Sequence, residues 1–296
     1  MSTDSSKIIL ITGCSSGFGL ATAAHLASKG HRVIASMRNL TKQGSLQSEL
    51  NKKNAAADII QLDVTNQKSL ENTFDYIEHK YGYLDVLVNN AGYGIGGFFE
   101  DLTEEEIRQQ METNFFGVQN VTRKTIPLMR QRKKGKIINI SSVSGFSGSP
   151  AFGAYAASKW ALEGFSESLH YELKLFGIDV HLIEPGTYKT NIFADNARYA
   201  KNFDNPSSPY YEVSQALKKR VMEHVNDCYK DVYEIGELIE KLINSSSASF
   251  RNIPDLESQI HYLLRKCLPF TFYSWLIKRF FLYKLYKYRQ ERAPHV

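Results

Sequence analysis

The residues KIILITGCSSGFGLATAAHLASKG, from Lys7 to Gly30, join a short β-branched run to a glycine-rich turn and an alanine-rich helical pattern. Glycine permits close backbone approach to a phosphate, and the N-terminus of the following helix offers free N–H groups and a partial positive charge. We therefore predict a phosphate-binding strand, turn and helix, with Gly13, Gly17 and Gly19 in the turn. A simple turn without a ligand is the alternative, which the flanking strand and helix make less favoured.

Further apolar runs of strand length follow along the chain and alternate with helical patterns. They cover residues 31–36, 57–62, 84–88, 136–140, 178–184 and 249–253. Strands separated by helices indicate an α/β fold with a parallel sheet. We predict a doubly wound sheet of about seven strands with helices on both faces, built by residues 1–255.

The carboxyl ends of parallel strands meet at one edge of the sheet, where ligands bind in open α/β folds. At this edge Arg38 occupies the place where an acidic residue would hydrogen-bond a ribose 2′-hydroxyl, and a basic residue can accept a 2′-phosphate instead. This favours NADP(H) over NAD(H), with a solvated surface arginine as the alternative. The third strand is followed by Asp63 and Val64, and the Asp63 carboxylate would face the crevice. Its alternative role is to cap the next helix, for which Thr65 and Asn66 are rival candidates.

The fifth strand delivers Ser142 to the same edge, and thirteen residues later the chain reads Tyr155-Ala-Ala-Ser-Lys159. In a helix, the four-residue spacing places the phenol of Tyr155 and the ammonium of Lys159 on one face. A phenol has a pKa of about 10, and a neighbouring cation favours its phenolate, so Tyr155 is a candidate acid or base. A surface tyrosine and lysine on an amphipathic helix is the alternative. Serine hydrolysis is disfavoured because no GxSxG sequence surrounds Ser142.

Asn114 lies inside a helical pattern over residues 103–132. Asparagine is mildly unfavourable in the middle of a helix because its amide competes with the backbone, which suggests a buried role. A solvated helix face is the equal alternative.

The composition fits a soluble globular protein, since 43% of the 296 residues are hydrophobic and 23% are charged. The cysteines Cys14, Cys228 and Cys267 lie far apart, so neither a metal site nor a disulfide framework is indicated. We expect a reducing compartment. The N-terminus lacks a basic region followed by a long apolar run, which indicates no signal peptide and favours a cytoplasmic location.

The positive charge is concentrated at the C-terminus. Residues 251–296 contain nine lysines and arginines and three acidic residues, a net charge of +6, against +5 for the whole chain. No groove-reading element accompanies this charge, which argues against a nucleic-acid partner. Residues 256–296 interleave aromatic and basic residues, and their longest uncharged run, 268–277, is half of what a membrane-spanning helix needs. We expect a helical extension that lies on an anionic membrane surface, or instead packs over a substrate pocket or at a subunit interface.

Residues 191–230 are rich in asparagine, serine, proline and aromatic residues. A long irregular insertion in a compact domain is typical of a lid or a binding loop, which we place at about residues 187–230. The aromatic side chains of this lid and of the C-terminal extension favour a hydrophobic substrate.

Five motifs, in this order and at this spacing, resemble those of the short-chain dehydrogenase/reductase family. They are Thr12-Gly-Cys-Ser-Ser-Gly-Phe-Gly19 (TGxxxGxG), Asn89-Asn-Ala-Gly92 (NNAG), Ser142, Tyr155-x-x-x-Lys159 (YxxxK) and Pro185-Gly186 with Thr190 (PGxxxT). The resemblance covers about residues 5–255. Arg38, the lid and the C-terminal extension are similar to the 17β-hydroxysteroid and retinol dehydrogenase-like branch.

The resemblance implies a Rossmann-type fold and an oxidoreductase that interconverts a carbonyl and an alcohol on a steroid, retinoid or lipid-like molecule. Tyr155 would protonate the carbonyl oxygen, and Ser142 would hydrogen-bond that oxygen. Lys159 would lower the pKa of Tyr155 and hold the nicotinamide ribose. Asn114 would hold a water that links Lys159 to solvent.

The resemblance also implies the cofactor site. The implied residues are Gly13, Ser15, Ser16, Gly17, Phe18, Gly19, Arg38, Asp63, Val64, Asn90, Ala91, Gly92, Tyr155, Lys159, Pro185, Gly186 and Thr190. Asp63 would bind the adenine amine, Asn90 the adenine ribose side, and residues 185–190 the carboxamide. A fatty-acyl or sphingoid ketone reductase is the alternative substrate assignment, and a non-catalytic NADP(H)-binding sensor or scaffold is the alternative of another class. Family members often pair through the helices that carry Asn114 and Tyr155, so a homodimer or homotetramer is expected.

Overall fold

The structure, a computed structural model, describes residues 6–190 and 197–292, with side chains described as far as Tyr283. The strands are β1 (Ile8–Ile11), β2 (Arg32–Met37), β3 (Asp58–Gln61), β4 (Val86–Asn89), β5 (Ile95–Gly96), β6 (Gly135–Ile140), β7 (Ile178–Ile183), β8 (Arg198–Tyr199) and β9 (Arg251–Asn252). The helices are α1 (Gly17–Ser28), α2 (Gly44–Lys52), α3 (Gln67–Tyr81), α4 (Glu104–Met111), α5 (Gly117–Arg130), α6 (Gly153–Lys174), α7 (Tyr211–Asn226), α8 (Tyr233–Asn244), α9 (Leu256–Cys267) and α10 (Phe270–Arg292).

Seven of the strands form one parallel sheet in the order β3-β2-β1-β4-β6-β7-β9, which confirms the predicted doubly wound architecture. The chain builds outward from β1 to β3 on one side of the sheet and from β4 to β9 on the other. The order therefore reverses between β1 and β4. In such sheets the ligand crevice lies at the carboxyl ends of the strands beside this reversal.

Alternate residues of β1 serve two hydrophobic cores because successive side chains of a strand point to opposite faces. Ile9 and Ile11 pack with residues of α1, α2 and α8, whereas Ile8 and Leu10 pack with residues of α3, α5 and α6. All four are at most 2% exposed, and full burial of each such side chain stabilises the fold by about 1.5–3 kcal/mol. The sheet is thus covered by helices on both faces, as a parallel sheet requires.

The helix predicted over residues 103–132 is divided into two. α4 begins with a capping box, in which the Thr103 hydroxyl accepts a hydrogen bond from the Glu106 N–H and the Glu106 carboxylate accepts one from the Thr103 N–H. A π-helical turn, Glu112–Phe116, separates α4 from α5. The prediction of one uninterrupted helix is wrong because a single widened turn hardly changes the apolar pattern. Such turns often occur at functional sites, and this one contains Asn114.

The lid predicted as irregular contains regular structure. β8 pairs with β5, and α7 occupies residues 211–226, so the prediction of an irregular segment over 191–230 is wrong for much of its length. The asparagine, serine and proline residues that suggested a loop lie mainly before α7, whereas α7 itself contains neither glycine nor proline. Residues 191–196 lie outside the described residues.

The C-terminal helices pack against the sheet domain through Tyr273 of α10. The Tyr273 hydroxyl lies 2.5 Å from Ser147 Oγ and 2.8 Å from His261 Nε2 of α9, and Tyr273 is only 6% exposed. Ser147 belongs to the loop after β6, and α10 also contacts the lid helix α7. The C-terminal extension therefore contacts the loop after β6 and the helix α7. Both come after predicted site residues in the sequence.

Other side chains of α10 are exposed to solvent. Its large exposed side chains are Phe270, Phe272, Trp275, Phe280, Leu282 and Tyr283. Across residues 6–190 and 197–292, no helix is both long and apolar enough to cross a membrane.

Candidate active site

The glycine-rich turn after β1 is held against the turn after β4 by backbone contacts that require glycine. Gly13 has φ +76°, and a Cβ at this position would lie 2.8 Å from the Ala91 Cα. The Asn90 amide donates to the carbonyl oxygens of Thr12 and Gly13 at 2.9 and 3.1 Å. A Cβ on Gly19 would meet the Gly13 oxygen and the Asn90 amide. Glycine at these positions thus lets the two turns pack together at the N-terminus of α1, and this glycine cradle lies where backbone N–H groups suit a dinucleotide pyrophosphate.

The segment after β7 lies beside this cradle. A Cβ on Gly17 would lie 3.6 Å from the Thr190 Cβ, and the Phe18 ring meets the Tyr188 ring edge-on at 5.2 Å. The Gly186 N–H donates to an Asp255 carboxylate oxygen at 3.2 Å. The motif expected to bind the pyrophosphate and the motif expected to bind the carboxamide are therefore adjacent in the fold.

Arg38 and Asp63 line a wide recess at the carboxyl edge of β2 and β3. Its volume is about 980 Å³, part of it open to solvent. Arg38 is exposed, so its guanidinium is accessible to a ligand. One Asp63 oxygen accepts hydrogen bonds from the Thr65 N–H and hydroxyl, at 3.0 and 2.8 Å. Asn66 caps α3, since its side-chain oxygen accepts from the Ser69 N–H at 2.9 Å. Of the rival helix caps, Asn66 is the one observed.

Ser142, Tyr155 and Lys159 converge at the carboxyl end of β6. Tyr155 lies in the first turn of α6, where it is partly buried and hydrogen-bonded to the Ser142 side chain. Lys159, one turn later, is 7% exposed, and its Nζ lies 5.8 Å from the centre of the Tyr155 ring. This ammonium donates to the Ile140 carbonyl at 2.8 Å, which fixes it at the end of the strand.

The pKa values of these groups are governed by burial. Burial raises the pKa of Tyr155, and the hydrogen bond with Ser142 opposes this rise. Burial lowers the pKa of Lys159 to about 8, and the negative charge of Glu163 opposes this fall. Desolvation of the phenol is the larger influence and raises its pKa overall, and the expected lowering of the Tyr155 pKa by Lys159 stays a prediction. At neutral pH Tyr155 is a neutral phenol that can donate a proton.

Asn114 connects the turn after β4 to α6. Its side-chain oxygen accepts from the Tyr93 N–H at 3.1 Å, and its amide donates to the Tyr93 carbonyl at 2.9 Å and to Ser158 Oγ at 3.1 Å. Asn114 is 1% exposed, so of the two interpretations of this residue the buried one is correct. The structure shows that its amide positions backbone; the proposed link through water to Lys159 stays a prediction.

A buried ionic network, which sequence reasoning missed, lies directly behind the site. Arg251 of β9 donates to Glu163 at 2.7 Å and to Glu184 at 2.5 Å, and Ser141 Oγ donates to the other Glu163 oxygen. Glu163 is 5% exposed and Glu184 is fully buried. Burial and the charge of Glu163 raise the pKa of Glu184 to about 8, so near neutral pH Glu184 carries a proton.

The spacing of residues in the sequence indicates part of this network. Glu163 follows Lys159 by four residues, the same interval that separates Tyr155 from Lys159, so it belongs to the same helix face. Glu184 comes directly before Pro185, and Ser141 directly before Ser142. Each acid or hydroxyl of the network is therefore next to, or one turn from, a residue of the predicted site. The partner, Arg251, is distant in sequence and gave no signal.

Tyr155 also lines a recess of about 540 Å³, part of it open to solvent, between the sheet and the lid. The lining residues are Gly94, Gly96, Ala151, Phe152, Tyr155, Ala197, Arg198, Tyr199, Phe203, Leu217, Lys218 and Val221. Most of these side chains are apolar or aromatic.

Curated relatives share the sequence over most of its length. Residues 7–200 match the family described as short chain dehydrogenase. The chain is 38% identical to the uncharacterized oxidoreductase YusZ of Bacillus subtilis over 92% of this chain and 98% of that one. It is 39% identical to a 3-ketodihydrosphingosine reductase of Bacteroides thetaiotaomicron (83% and 86%) and 39% identical to retinol dehydrogenase 8 of Bos taurus (84% and 81%).

Solved structures share the fold. An actinorhodin polyketide ketoreductase variant with NADPH superimposes with a TM-score of 0.72 at 29% identity, covering 86% of this chain and 97% of that one. A short-chain dehydrogenase/reductase from Burkholderia phymatum in complex with NAD gives 0.78 at 25% identity, covering 90% and 95%. The sheet, the cradle and the extent of these matches together show that the chain belongs to the short-chain dehydrogenase/reductase family, whose members are oxidoreductases that act on CH–OH groups with NAD(P)(H).

Proposed function

We propose that the protein is an NADP(H)-preferring oxidoreductase that interconverts a carbonyl and an alcohol on a hydrophobic substrate, with Tyr155 as the acid or base. The observation that carries this proposal is the position of Tyr155, which lines the apolar recess and is hydrogen-bonded to Ser142, with the Lys159 ammonium 5.8 Å from its ring. A substrate oxygen that reached the Tyr155 hydroxyl from the recess would also come close to the Ser142 hydroxyl that is hydrogen-bonded to it, and both groups can donate hydrogen bonds.

Each side chain of the proposed site has a separate role in the reaction. NADPH, when bound, supplies the hydride. Tyr155 donates its phenolic proton to the substrate oxygen, and Ser142 orients that oxygen. Lys159, held by the Ile140 carbonyl, provides a positive charge beside Tyr155 that stabilises the phenolate formed when the proton leaves. Because burial raises the pKa of Tyr155, the phenol is protonated at neutral pH, which favours the direction of reduction.

The preference for NADP(H) rests on Arg38, which is exposed in the recess beside the third strand. We expect Arg38→Asp to raise the KM for NADPH by about tenfold or more, because it replaces a charge-assisted contact with repulsion of the 2′-phosphate. The KM for NADH should change little. Steady-state kinetics with both cofactors measure the difference, and Lys42→Asp, a nearby exposed substitution, is the control. Equal losses for NADPH and NADH would refute the role of Arg38.

The substrate is proposed to be a steroid, a retinoid or a lipid-like carbonyl, since the recess beside Tyr155 is mainly apolar. The similarity to retinol dehydrogenase 8 supports a retinoid, and the similarity to a 3-ketodihydrosphingosine reductase supports a long-chain ketone as the second candidate. NADPH consumption against a panel of retinoid, steroid and long-chain aldehydes and ketones tests the proposal. Tight NADPH binding without turnover of any of them would favour a non-catalytic sensor or scaffold.

We also propose that the exposed face of α10 contacts a membrane surface. Trp275 and Phe280 are at least half exposed, and the C-terminal segment carries a net charge of +6, a combination that suits anionic headgroups over an apolar interface. Tyr273, which packs against Ser147, is buried and is not one of these exposed residues.

The double variant Trp275→Ser/Phe280→Ser is expected to reduce co-sedimentation with vesicles of phosphatidylserine and phosphatidylcholine by at least about fivefold, since two interfacial aromatic anchors are lost. Turnover of a water-soluble aldehyde should be unchanged. Tyr229→Ser removes a more exposed aromatic residue outside α10 and serves as the control. Binding that is equal for the double variant and the control would contradict the membrane proposal.

A further inference from the structure

Two cations stand in the wall of the apolar recess beside Tyr155. Lys218 comes from the lid helix α7, and Arg198 comes from β8. Each of these cations lies over an aromatic ring. The Lys218 Nζ is 4.7 Å from the centre of the Tyr199 ring, and the Arg198 guanidinium carbon is 4.1 Å from the centre of the Tyr93 ring.

Two acidic side chains near these cations, among the residues that the structure describes, hydrogen-bond to other groups. Asp204 accepts a hydrogen bond from the Gln215 amide at 2.8 Å, and Glu106 accepts from the Thr103 and Lys201 N–H groups at 2.8 Å each. Among the residues whose side chains the structure describes, neither Lys218 nor Arg198 has a carboxylate within 4.0 Å.

The neighbouring cations of the same helix show the contrast. Arg220 pairs with Glu223 at 2.9 Å, and Lys219 approaches the other oxygen of Glu223 at 4.0 Å. Lys218 alone of these three consecutive residues lines the recess, and within residues 6–190 and 197–283 the contacts of its ammonium group are with the rings of Tyr199 and Phe203. A cation over an aromatic ring gains about 0.5–2 kcal/mol, whereas a charge-assisted hydrogen bond to an anion contributes about 1.5–3 kcal/mol. An anionic ligand group is therefore the partner that this charge fits.

We propose that the recess takes an amphiphilic substrate whose carbonyl oxygen is presented to Tyr155 and whose other end carries a carboxylate, bound by Lys218 and Arg198. This inference rests on the proposed function of Tyr155. The apolar residues between the two ends, Phe152, Leu217 and Val221, accommodate the hydrocarbon part of the substrate. A substrate with a cationic end is disfavoured, since it would meet two like charges.

The inference predicts discrimination between substrates that differ only in the charge of the distal end. The probes are an ω-oxo fatty acid, its methyl ester, and the ω-trimethylammonio aldehyde of the same chain length, compared over a series of chain lengths with NADPH. For the wild-type enzyme, kcat/KM should be about tenfold or more higher for the acid than for the ester, and lowest for the cationic aldehyde. An acid and an ester that react equally well, or a preference for the cationic aldehyde, would overturn the proposal.

The variants locate the effect. Lys218→Met keeps the length and apolar stem of the side chain, and should lower kcat/KM for the acid by about tenfold while leaving that for the ester nearly unchanged. Lys219→Met is the matched control, since Lys219 is the next residue of α7 and is exposed; it should change neither value. Equal effects of the two variants would contradict the role of Lys218.

Arg198 requires a separate measurement because Tyr93, on which it stacks, follows the Asn89-Asn-Ala-Gly92 turn beside the proposed cofactor site. Arg198→Gln should raise the KM for the acid and leave the KM for NADPH unchanged. A rise confined to the KM for NADPH would assign Arg198 to the cofactor and contradict a subsite of two cations. Failure of all three aldehydes to react would count against the proposed function itself, whereas turnover without charge preference would count only against the subsite.

Discussion

Tyr155→Phe lowers kcat for carbonyl reduction by about a thousandfold, within the range of about 10²–10⁴ that a positioned proton donor contributes. The phenylalanine ring fills the same space beside Gly94, where an added Cβ would lie 3.6 Å from the tyrosine ring. The dissociation constant for NADPH should therefore change by no more than about threefold, because the glycine cradle is untouched. Single-turnover kinetics and fluorescence titration with NADPH measure the two quantities.

The control for this variant is Tyr199→Phe, which removes a hydroxyl group from another tyrosine of the same recess. Tyr199 keeps its ring beneath Lys218 in this variant, so turnover should remain within about threefold of the wild-type rate. A Tyr155→Phe enzyme that reduces its substrate at the wild-type rate would refute the proposed acid. A loss of activity shared equally by both variants would show that the recess, and not the Tyr155 proton, had been damaged.

Arg251→Met lowers the free energy of unfolding by about 3 kcal/mol, since it leaves the buried carboxyl groups of Glu163 and Glu184 without their cation. We place the loss at the lower end of the values known for buried pairs because the Arg251 side chain is 31% exposed. Urea denaturation followed by circular dichroism, without added cofactor, measures the change. The matched control is Arg132→Met, which breaks an ion pair with Asp85 in which the arginine is 43% exposed, and should cost less than about 1 kcal/mol.

Glu184→Gln tests whether the Glu184 carboxyl group is protonated in the folded protein. The folded-state pKa of Glu184 is raised from 4.5 to about 8, so its contribution to stability is fully present below about pH 4.5 and is lost as the pH rises through about 8. Glutamine has the shape of the protonated acid and does not titrate. The variant should therefore lack the part of the wild-type stability decrease, up to about 1.4 kcal/mol per pH unit, that Glu184 causes in this interval. Identical pH profiles for the two proteins would show that Glu184 is ionised in the fold.

Local sequence patterns were sufficient to predict the sheet and the core of the site. The alternation of β-branched runs with helical patterns predicted the seven parallel strands, because strand and helix periods are read over a few neighbouring residues. The spacing of Tyr155 and Lys159 predicted that they share a helix face, since one turn of helix converts four residues of sequence into adjacency.

Other features depend on contacts between distant parts of the chain and left little trace in the sequence. The Asn114 amide finds the Tyr93 backbone through a π-helical turn, which hydrophobic periodicity does not resolve. α7 was obscured by the asparagine, serine and proline residues that precede it. The direction of the Tyr155 pKa shift was also unpredictable, because the spacing reveals the neighbouring cation and does not reveal how far the phenol is desolvated.

The sequence by itself determined which chemical groups the protein has and which of them lie within one helical turn or at the end of one strand. It identified the glycine turn after β1, the Tyr155 and Lys159 pair, and the basic C-terminal segment in this way. Only the tertiary structure decided that Arg251 contacts two buried acidic side chains, Glu163 and Glu184, and that Lys218 of α7 lines the same recess as Tyr155. The physical reason is that burial and electrostatic interaction depend on distance in space, which the sequence encodes directly only for near neighbours.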